Sequence, residues 1–532
     1  MRRHRWAVST SIGFFFLAGV LLLPYPGIEA DEALFAGGIW APERMAAAYE
    51  FGGRPVATMI MSYIGALKAW LYAPIFALFG VSVWTLRLPV LLVGAAAIWL
   101  TASLLARLGG PRAAAIGALL LATDPIFLTT TVFDWGPLAL QQLLVAGGLL
   151  ALVRFKQEQR ERYLVLGCFA LGLALWQKAV FLWLLVALAV SAAVVGGREL
   201  FRPAVRHWPR ASGAFLLGAL PFVLYNVDQP GEAWRGRRLG LADLPQKIEV
   251  MKRSLRGDAM AGFLVAADGH GVEATAAKPV ERASLWLSDR AGRRISGLQL
   301  WLVPVAAAGL FIKRSRPPIL FFAAAFLLAW AQMLVTEEAG GSVHHTVMLW
   351  PLVHAFLALG LAAAAGLCRS VAYLCAVLVL FAASFNALAI NEHLARLVRF
   401  GPERMWTDAV FDLAERVRAT GARYFHPADW GMGEQVRLLT AGTIIVEEAV
   451  QPFSRESLDE EERRHILERI ERQDGVFARY VSGWTYFPAA GRLLEQTARQ
   501  EGFEPVSVEL VRDRRGRAVF ELFRFRPRAI QF

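Results

Sequence analysis

The sequence places two carboxylates side by side, Asp31 and Glu32, just after its first apolar stretch. They open the segment DEALFAGGIW, whose residues favour a short helix, and they have two interpretations. In one, Asp31 caps the helix and Glu32 interacts favourably with the helix dipole. In the other, the pair supplies a general base at a membrane surface, where partial desolvation raises the pKa of a carboxylate toward a useful value. The residues alone leave both open.

Two further aspartates lie near the ends of apolar runs or within them. Asp134 follows TDPIFLTTTVF and precedes WGPLALQQLL. It either caps the next helix, with Pro137 in the first turn, or stands at the mouth of a helical bundle. Asp124 lies inside an apolar run, where a carboxylate is costly and by default indicates a function. The alternative is that Pro125 breaks the helix and brings Asp124 to the outer surface.

Basic side chains that could hold an anion lie in the same regions. Lys178 stands in LALWQKAVFLW between two apolar runs. It either extends its ammonium group to the membrane surface or pairs with a phosphate. Arg54, in GGRPV, is a second candidate for a phosphate contact.

The segment EEAGGSVHHTVMLWPLVH adds Glu337, Glu338, His344 and His345. Imidazoles and carboxylates are common zinc ligands, but adjacent histidines point to different sides of a helix and no HExxH spacing occurs. Zinc binding, a phosphate or substrate contact, and plain interfacial residues remain as interpretations. No motif requires a cofactor, and a divalent metal is not indicated. Neither GxGxxG nor GxxxxGK[ST] is present, so no nucleotide-binding fingerprint is found.

The elements that must position these residues are membrane helices. The chain of 532 residues is 56% apolar and 19% charged, with a mean hydropathy of +0.43, whereas soluble domains are roughly 45–50% apolar and about 25% charged. The excess lies before residue 392, in runs close to the ~20 residues that span a hydrocarbon core. About eleven spans are predicted, at 6–24, 84–106, 112–131, 135–153, 162–176, 179–196, 211–226, 297–312, 317–335, 346–366 and 370–391.

Loop charges predict the orientation of these spans. The N-terminus carries Arg2, Arg3 and Arg5, and basic residues recur in every second loop, so these parts are predicted to be cytoplasmic. Much of the net charge of +12 lies there, which argues against nucleic-acid binding. The first run is predicted to be a retained helix rather than a cleaved signal peptide. The three cysteines lie in or beside apolar runs and imply no disulfide framework.

The stretch 58–79 is apolar enough to span the membrane, but a crossing there would reverse every later loop. It is therefore predicted to lie along the outer surface or to re-enter the membrane, as an interfacial helix does. Lys68 suits such a boundary position. This orientation places outside the membrane the first loop 25–83, the turn at Asp134, the long loop 227–296 and all residues after 391.

The tail 392–532 has a different character. Helical patterns at 405–419, 430–440, 456–472 and 486–500 alternate with short apolar runs near 423–426, 443–446, 475–481, 505–510 and 518–523. This alternation predicts a small α/β layer domain. The chain is thus divided into a membrane domain, 1–391, and a soluble extracytoplasmic domain, 392–532.

The order of the motifs resembles the membrane glycosyltransferases of the GT-C fold. A first span is followed by an outer DEA-aromatic motif, an interfacial stretch ending FGVSVWTLRLP, then LLARLGG and PRAAAIGALLLATDPIFL with a following Asp. The nearest groups are the dolichyl-phosphate-mannose protein mannosyltransferases and the bacterial transferases that attach aminoarabinose to lipid A. The likeness covers roughly residues 1–230, with weaker similarity at SVHHTVMLWP.

The resemblance implies an enzyme that moves a sugar from a polyprenyl-phosphate carrier, with inversion, on the outer face of the membrane. Asp31 then matches the acidic residue that activates the acceptor, and Asp134 matches the second acidic site. Lys178 and His345 match the positions that hold the carrier phosphate. The usual His/Lys-Pro-Pro-Leu is missing, with GRPVATMIMSYIGALK in its place, so Arg54 or Lys68 is a substitute. His344-His345 stands where Arg-Tyr is often found.

The sequence therefore predicts a multi-pass protein of a bacterial inner membrane that transfers a sugar to an acceptor hydroxyl on a lipid, glycan or protein. The candidate catalytic residues are Asp31, Glu32 and Asp134, with Glu32 supporting Asp31. The candidate contacts for substrate and phosphate are Arg54, Lys68, Lys178, Glu337, His344 and His345. Two alternatives are a transporter or flippase of lipid-linked solutes and a noncatalytic assembly protein.

Overall fold

The computed structural model describes residues 2–236, 238–266 and 276–528. The predicted long loop therefore lies partly outside the described residues, and so do the side chains of Arg2 and Arg3. The elements before the first long bundle helix are α1 (Arg2–Leu22), α2 (Ala30–Gly37), β1 (Ala47–Phe51), β2 (Arg54–Met61), β3 (Ile64–Gly65) and α3 (Leu67–Phe79).

The apolar stretch after residue 57 is only partly helical. Strand β2 pairs antiparallel with β1 and with β3, and the helix α3 begins at Leu67. The prediction of an interfacial helix over 58–79 thus needs correction in its first part. The run Val-Ala-Thr-Met-Ile-Met has the β-branched residues that favour a pleated strand, and the Thr58 carbonyl accepts a hydrogen bond from the Trp176 indole at 2.8 Å.

Helix α3 buries its polar side chains and exposes its apolar ones. Its 13 residues span about 20 Å, too short to cross a core of ~30 Å. Lys68 and Tyr72 are buried, whereas Leu71, Leu78 and Phe79 are between half and three-quarters exposed. An exposed face of this kind belongs against lipid, as in a helix lying along a membrane surface.

The bundle follows. Its helices are α4 (Val83–Ala122), α5 (Pro125–Val132), α6 (Leu138–Glu158), α7 (Glu161–Gln177), α8 (Phe181–Arg206), α9 (Trp208–Asp228), α10 (Leu244–Arg256), α11 (Pro279–Ala291), α12 (Val303–Ala308), α13 (Arg316–Leu334), α14 (Val343–Thr346), α15 (Trp350–Ala364) and α16 (Arg369–Arg399). Short 3-10 turns lie at Gly38–Trp40, Pro42–Arg44, Glu232–Trp234, Gln299–Leu302, Gly309–Phe311, Val347–Leu349 and Arg404–Trp406.

Every predicted span coincides with a helix or with consecutive helices of this bundle. Two predicted spans share α4, which Gly110, at a φ of 80°, bends into two parts. Within the described residues, 7 helices are long and apolar enough to cross a membrane by themselves. The protein is thus a multi-pass membrane protein by the length and composition of its helices, while the number of eleven crossings stays a prediction.

Small residues allow the helices to approach closely. Gly172 of α7 and Gly218 of α9 each face backbone atoms of the other helix, where a β-carbon would meet a carbonyl oxygen. Helix α1 is part of the same bundle: Phe15 and Leu22 are buried against α4 and α5. Close backbone approach at small residues is the usual way in which helices associate in lipid.

The soluble domain consists of α17 (Ala409–Ala419), β4 (Tyr424–Pro427), α18 (Gly433–Leu439), β5 (Ile445–Val446), α19 (Glu460–Glu471), β6 (Gly475–Tyr480), α20 (Pro488–Gln500), β7 (Phe503–Arg512) and β8 (Ala518–Pro527). Each coincides with a predicted element, and the predicted α/β layer domain is confirmed. Its sheet has the order β5-β4-β6-β8-β7, with β5, β4 and β6 parallel. Helix α16 extends to Arg399, beyond the predicted boundary at 391.

The tip of the β7–β8 hairpin fastens this domain to the bundle. The guanidinium of Arg515 donates to the carbonyls of Leu397, Val398 and Arg399 at 3.1, 2.7 and 2.9 Å. The last carbonyls of a helix have no partner within the helix and carry its negative dipole end. A half-buried cation therefore closes the end of α16 and holds the sheet on it.

We expect Arg515→Ala to loosen this junction. The change leaves three carbonyls without a charged donor, and we expect a loss of about 2 kcal/mol in the free energy of unfolding. Thermal unfolding of the purified protein, together with the rate of proteolysis near residue 400, measures the effect. Arg526→Ala, at an exposed strand position, is the control. An unchanged melting temperature for Arg515→Ala would show that the domain is held by other contacts.

Candidate functional site

Glu32 and Arg87 form a buried ion pair at the entrance to the bundle. Arg87 Nε and Nη2 donate to the two carboxylate oxygens of Glu32 at 2.8 and 2.7 Å. The remaining donors of Arg87 bind the carbonyls of Leu23, Pro26 and Gly27. Both charged side chains are at most 1% exposed. Glu32 therefore joins α2 to the start of α4 and to the end of α1, and both of its oxygens are occupied.

Asp31 has no such engagement. Glu29 is the N-cap of α2, and its carboxylate accepts the backbone N–H of Asp31 at 2.7 Å and that of Glu32 at 3.3 Å. The capping role that one interpretation gave to Asp31 is thus taken by Glu29. The side chain of Asp31 therefore takes no part in capping α2, and it is partly exposed.

The surroundings of Asp31 raise the pKa of its carboxyl group. Burial is the largest cause, and the carboxylate of Glu434 in α18 acts in the same direction. A hydrogen bond from Trp135 and the positive charge of Lys178 act in the opposite direction. The pKa of Glu29 is raised well above its ordinary value, by burial and then by the charge of Asp31. Two neighbouring carboxyls of this kind are typical of sites that move protons.

Asp134 lies at the same end of the bundle and is paired with Lys68. The Lys68 ammonium is 2.7 Å from Asp134 Oδ2, and both side chains are almost fully buried. The other oxygen, Oδ1, accepts the backbone N–H of Ala139 at 3.0 Å. Asp134 thus both accepts a hydrogen bond from the first turn of α6 and binds helix α3 to the bundle.

The turn that follows Asp134 brings Lys178 and His344 together. Asp134 and Gly136 both have positive φ, 37° and 84°, a conformation that is costly for any residue but glycine. Lys178 donates to the Gly136 carbonyl at 3.1 Å. A β-carbon at position 136 would lie 3.0 Å from Lys178 Nζ and 3.3 Å from His344. The tight turn therefore depends on the missing side chain.

Aromatic rings surround Lys178 and His344. Trp135 stacks on Phe263 with ring centroids 4.1 Å apart, and its edge contacts His344 at 4.4 Å. The rings of His344 and His345 are 4.3 Å apart. Among the described residues, no group of three or more His, Cys, Asp or Glu side chains has the arrangement of a metal site.

Two of the predicted contact residues lie apart from this group. Arg54 is exposed beside the Gly52-Gly53 turn of the β1–β2 hairpin. Glu337 donates its backbone N–H to the Arg238 carbonyl at 2.8 Å, and its side chain packs beside Gly240. The structure thus brings together Asp31, Asp134, Lys68, Lys178, His344 and His345.

Asp124 belongs to a separate, fully buried cluster. Pro125 does break the helix, and Asp124 caps α5 by accepting two backbone N–H groups at 2.8 Å. Its second oxygen accepts from the Trp350 indole at 2.9 Å and from the amide of Gln299, and it lies 3.2 Å from His354 Nε2. A carboxylate with this many partners joins α5 to α15 and to the turn Gln299–Leu302.

The sequence did not single out Glu29, Arg87 or Trp135. Arg87 stands in an apolar run, and an arginine inside a membrane requires a partner, so this residue could have been found together with Glu32. Glu29 offers no comparable signal, because glutamate is not among the preferred capping residues.

Comparisons with known proteins agree with this architecture. Residues 65–225 match a family described as dolichyl-phosphate-mannose-protein mannosyltransferase. The structure is similar to ArnT from Cupriavidus metallidurans bound to undecaprenyl phosphate, with a TM-score of 0.57 and 14% identity over 97% of each chain. It is also similar to the archaeal oligosaccharyltransferase AglB from Archaeoglobus fulgidus, in complex with an inhibitory peptide and a dolichol-phosphate. That TM-score is 0.51, with 14% identity over 99% of this chain and 75% of the other.

No curated protein sequence gives a significant match. At 14% identity, these structural similarities concern the fold. The GT-C-like fold that the sequence predicted is confirmed.

We expect Arg87→Met to destabilise the protein by about 4 kcal/mol, because it leaves the buried carboxylate of Glu32 without a counter-charge. The double variant Glu32→Gln/Arg87→Met should recover part of that loss. Thermal unfolding in detergent is the measurement. Arg107→Met is the control, since Arg107 pairs with Glu158 at a half-exposed position, where a pair contributes at most about 1 kcal/mol. Equal melting temperatures for Arg87→Met and the control would contradict the structural role.

Proposed function

We propose that the protein is an inverting glycosyltransferase that takes a sugar from a polyprenyl-phosphate carrier. The observation that carries the proposal is Asp31: a carboxylate relieved of capping, with a raised pKa, beside the buried cation of Lys178. The fold shared with ArnT bound to undecaprenyl phosphate, and with AglB in complex with a dolichol-phosphate, supports it. The match of residues 65–225 to the mannosyltransferase family points to the same class of reaction.

In the proposed reaction an acceptor hydroxyl attacks the anomeric carbon from the side opposite the phosphate. Asp31 takes the hydroxyl proton as the new C–O bond forms, and the bond from the anomeric carbon to the phosphate oxygen breaks with its electron pair on oxygen. The carrier leaves as polyprenyl phosphate. A base of raised pKa is well matched to this task, because efficient general bases have pKa values near the working pH.

The charge that develops on the leaving phosphate needs a cation that is already in place. Lys178 meets this need: it is fully buried, and its ammonium is held by the Gly136 carbonyl. His344 and His345, beside it, are the proposed further donors to the phosphate oxygens. Fixed donors of this kind, in a site that excludes water, contribute the largest electrostatic stabilisation in many enzymes.

Asp134 is the second proposed acidic residue, with an orienting role. Its pairing with Lys68 keeps its charge compensated, so Asp31 remains the acidic side chain of the group that can accept a proton. Lys68 then acts through Asp134, and Glu32 acts through Arg87. Arg54 and Glu337 are proposed to lie outside the reacting centre.

The proposed orientation follows from the loop charges. With basic loops in the cytoplasm, the outer loops carry Asp31, Asp134 and Lys178, and the α/β domain is extracytoplasmic. A bacterial inner membrane is the proposed location, and the acceptor is a hydroxyl of a lipid, glycan or protein on the outer face.

We expect Asp31→Asn to abolish sugar transfer, because the amide cannot take a proton, while expression and carrier binding persist. Membranes are incubated with a panel of labelled undecaprenyl-phosphate sugars, and both labelled product and released undecaprenyl phosphate are measured. A general base contributes about 10²- to 10⁴-fold. Asp474→Asn, at an exposed position of the soluble domain, is the control. Near-normal turnover by Asp31→Asn would exclude Asp31 as the base.

We expect Lys178→Met to raise the KM for the donor and to move the acidic limb of the pH profile to higher pH. The charge of Lys178 lowers the pKa of Asp31, so its removal raises that pKa further. Only ionised Asp31 accepts a proton. As the pH is lowered, the activity of the variant should therefore be lost at a higher pH than that of the wild type. The KM for the donor should rise about tenfold, as expected for a lost charged contact. Lys178→Arg should leave the acidic limb of the pH profile where it is in the wild type. An unshifted acidic limb in Lys178→Met would contradict the effect of the Lys178 charge on the pKa of Asp31.

A further inference from the structure

Helix α11 packs on the bundle through polar side chains. Its buried residues, Glu281, Ser284 and Ser288, are three and four positions apart and so lie on one face of the helix. The hydroxyl of Ser284 donates to the Asn391 carbonyl at 3.3 Å, and that of Ser288 donates to the carboxylate of Glu392. Hydrogen bonds from small polar side chains therefore hold α11 against the end of α16.

The opposite face of α11 is exposed and partly apolar. Trp286 is 62% exposed and Val280 is 36% exposed, and Ala283, which lies between them on the helix surface, is exposed as well. A helix whose outer side is in water normally directs its apolar stripe inward. The reversed arrangement, which α3 shares, is expected of a helix whose outer side rests on lipid.

A stripe of exposed apolar side chains on α16 leads to the end of α11. Its members recur every three or four positions and are each more than half exposed: Tyr373, Leu374, Val377, Leu380 and Phe381. Because α16 is long and apolar enough to cross a membrane, such a stripe belongs against acyl chains. One turn further along, the Arg294 guanidinium lies 5.0 Å from the centre of the Phe385 ring. A cation at the end of a lipid-facing stripe is typical of the headgroup level.

The N-terminal end of α11 contacts the end of α1. The Tyr25 hydroxyl donates to Glu281 at 2.9 Å, and the Lys278 ammonium lies 5.9 Å from the centre of the Tyr25 ring. Two bundle helices thus end beside α11, at the end of the bundle that carries Asp31. In the orientation proposed above, α11 therefore lies at the surface of the outer leaflet.

The exposed charges of residues 278–294 are mostly positive. The exposed cations of this stretch are Lys278, Arg282, Arg290, Arg293 and Arg294. Its exposed acidic residue is Asp289, whose carboxylate is shared by Arg293 at 3.3 Å and Arg399 at 3.0 Å. The Arg290 guanidinium lies 5.9 Å from the centre of the Trp286 ring. An excess of positive charge thus stands beside an exposed aromatic ring, which suits an anionic lipid surface.

We propose that the surface formed by Trp286, Arg290 and Arg294 binds the headgroup of an anionic phospholipid. Tryptophan prefers the boundary between acyl chains and water, and a guanidinium binds phosphate oxygens in pairs. The indole then lies at the level of the lipid glycerol, while the two guanidiniums bind the phosphate. This proposal goes beyond the proposed function and does not depend on it, because no step of sugar transfer uses α11.

A lipid surface accounts for this patch better than a protein partner does. Aromatic residues and arginine are also enriched in protein interfaces. The patch is, however, continuous with the apolar stripe of α16, so a protein bound there would meet the acyl chains that cover this stripe. A phospholipid supplies both the apolar surface that suits Trp286 and the negative charge that suits Arg290 and Arg294.

Fluorine NMR tests where Trp286 lies, on the full-length protein in nanodiscs of phosphatidylcholine and phosphatidylglycerol. The tryptophans are labelled as 5-fluorotryptophan, and Trp286→Phe identifies the resonance of Trp286. A lipid that carries a nitroxide near its headgroup should broaden this resonance strongly. Trp430, partly exposed on the soluble domain and assigned with Trp430→Phe, is the control. Its resonance should be broadened by a water-soluble gadolinium chelate and not by the lipid nitroxide.

The same resonance reports the binding of the anionic headgroup. At a constant amount of total lipid, it should shift as the share of phosphatidylglycerol rises from zero to about one half. Arg290→Gln/Arg294→Gln should abolish this shift. Two arginines contribute about 1 kcal/mol each near an anionic surface, so their loss weakens binding about 30-fold. Arg492→Gln/Arg499→Gln, which removes two exposed arginines from the soluble domain, is the matched control and should keep the shift.

Three outcomes overturn the proposal. The first is a Trp286 resonance that only the water-soluble chelate broadens, which would place this face in water or under a protein partner. The second is an unchanged lipid-dependent shift in Arg290→Gln/Arg294→Gln when its circular dichroism matches that of the wild type. The third is an equal loss of the shift in the control variant. Sugar transfer is measured separately, so its absence removes the proposed function and leaves the lipid contact untouched.

Discussion

The buried ion pair of Glu32 and Arg87 is the interaction on which the candidate site depends. A bidentate carboxylate–guanidinium contact has one geometry, and here the guanidinium also binds three carbonyls at the end of the first bundle helix. The helix α2 therefore cannot rotate without separating two charges that water does not reach. Asp31, one residue before Glu32, inherits this fixed orientation.

Three carboxylates at the mouth of the bundle differ mainly in how completely each is paired. Glu32 has both oxygens bound by a guanidinium, and Asp134 shares its charge with the ammonium of Lys68. Asp31 has a cation nearby, Lys178, but remains partly exposed. Two of these carboxylates thus hold the structure together, and the third, Asp31, is the proposed base. The neighbours of each carboxylate make this difference, because the residue types are similar.

The sequence predicted the parts of the molecule that depend on local pattern. Long apolar runs located the helices, and short alternating runs located each strand in the described part of the soluble domain. It did not predict the strand β2, because an apolar stretch near a membrane fits both a helix and a strand until its partner β1 is known. The partners of Glu32, Asp134 and Asp124 were also missed, since each lies on a different element and charge pairing over such distances leaves no periodic trace.

Lys68, the buried lysine of α3, determines how deep this helix lies relative to the bundle. The helix exposes its apolar side chains on one face and buries Lys68 against Asp134 on the other. If that face rests in the outer leaflet, α3 cannot rise or sink without moving Asp134 and the turn that holds Lys178. The proposed base and phosphate contacts are then kept at the depth of the lipid headgroups, and the thickness of the surrounding bilayer becomes part of the geometry of the proposed site.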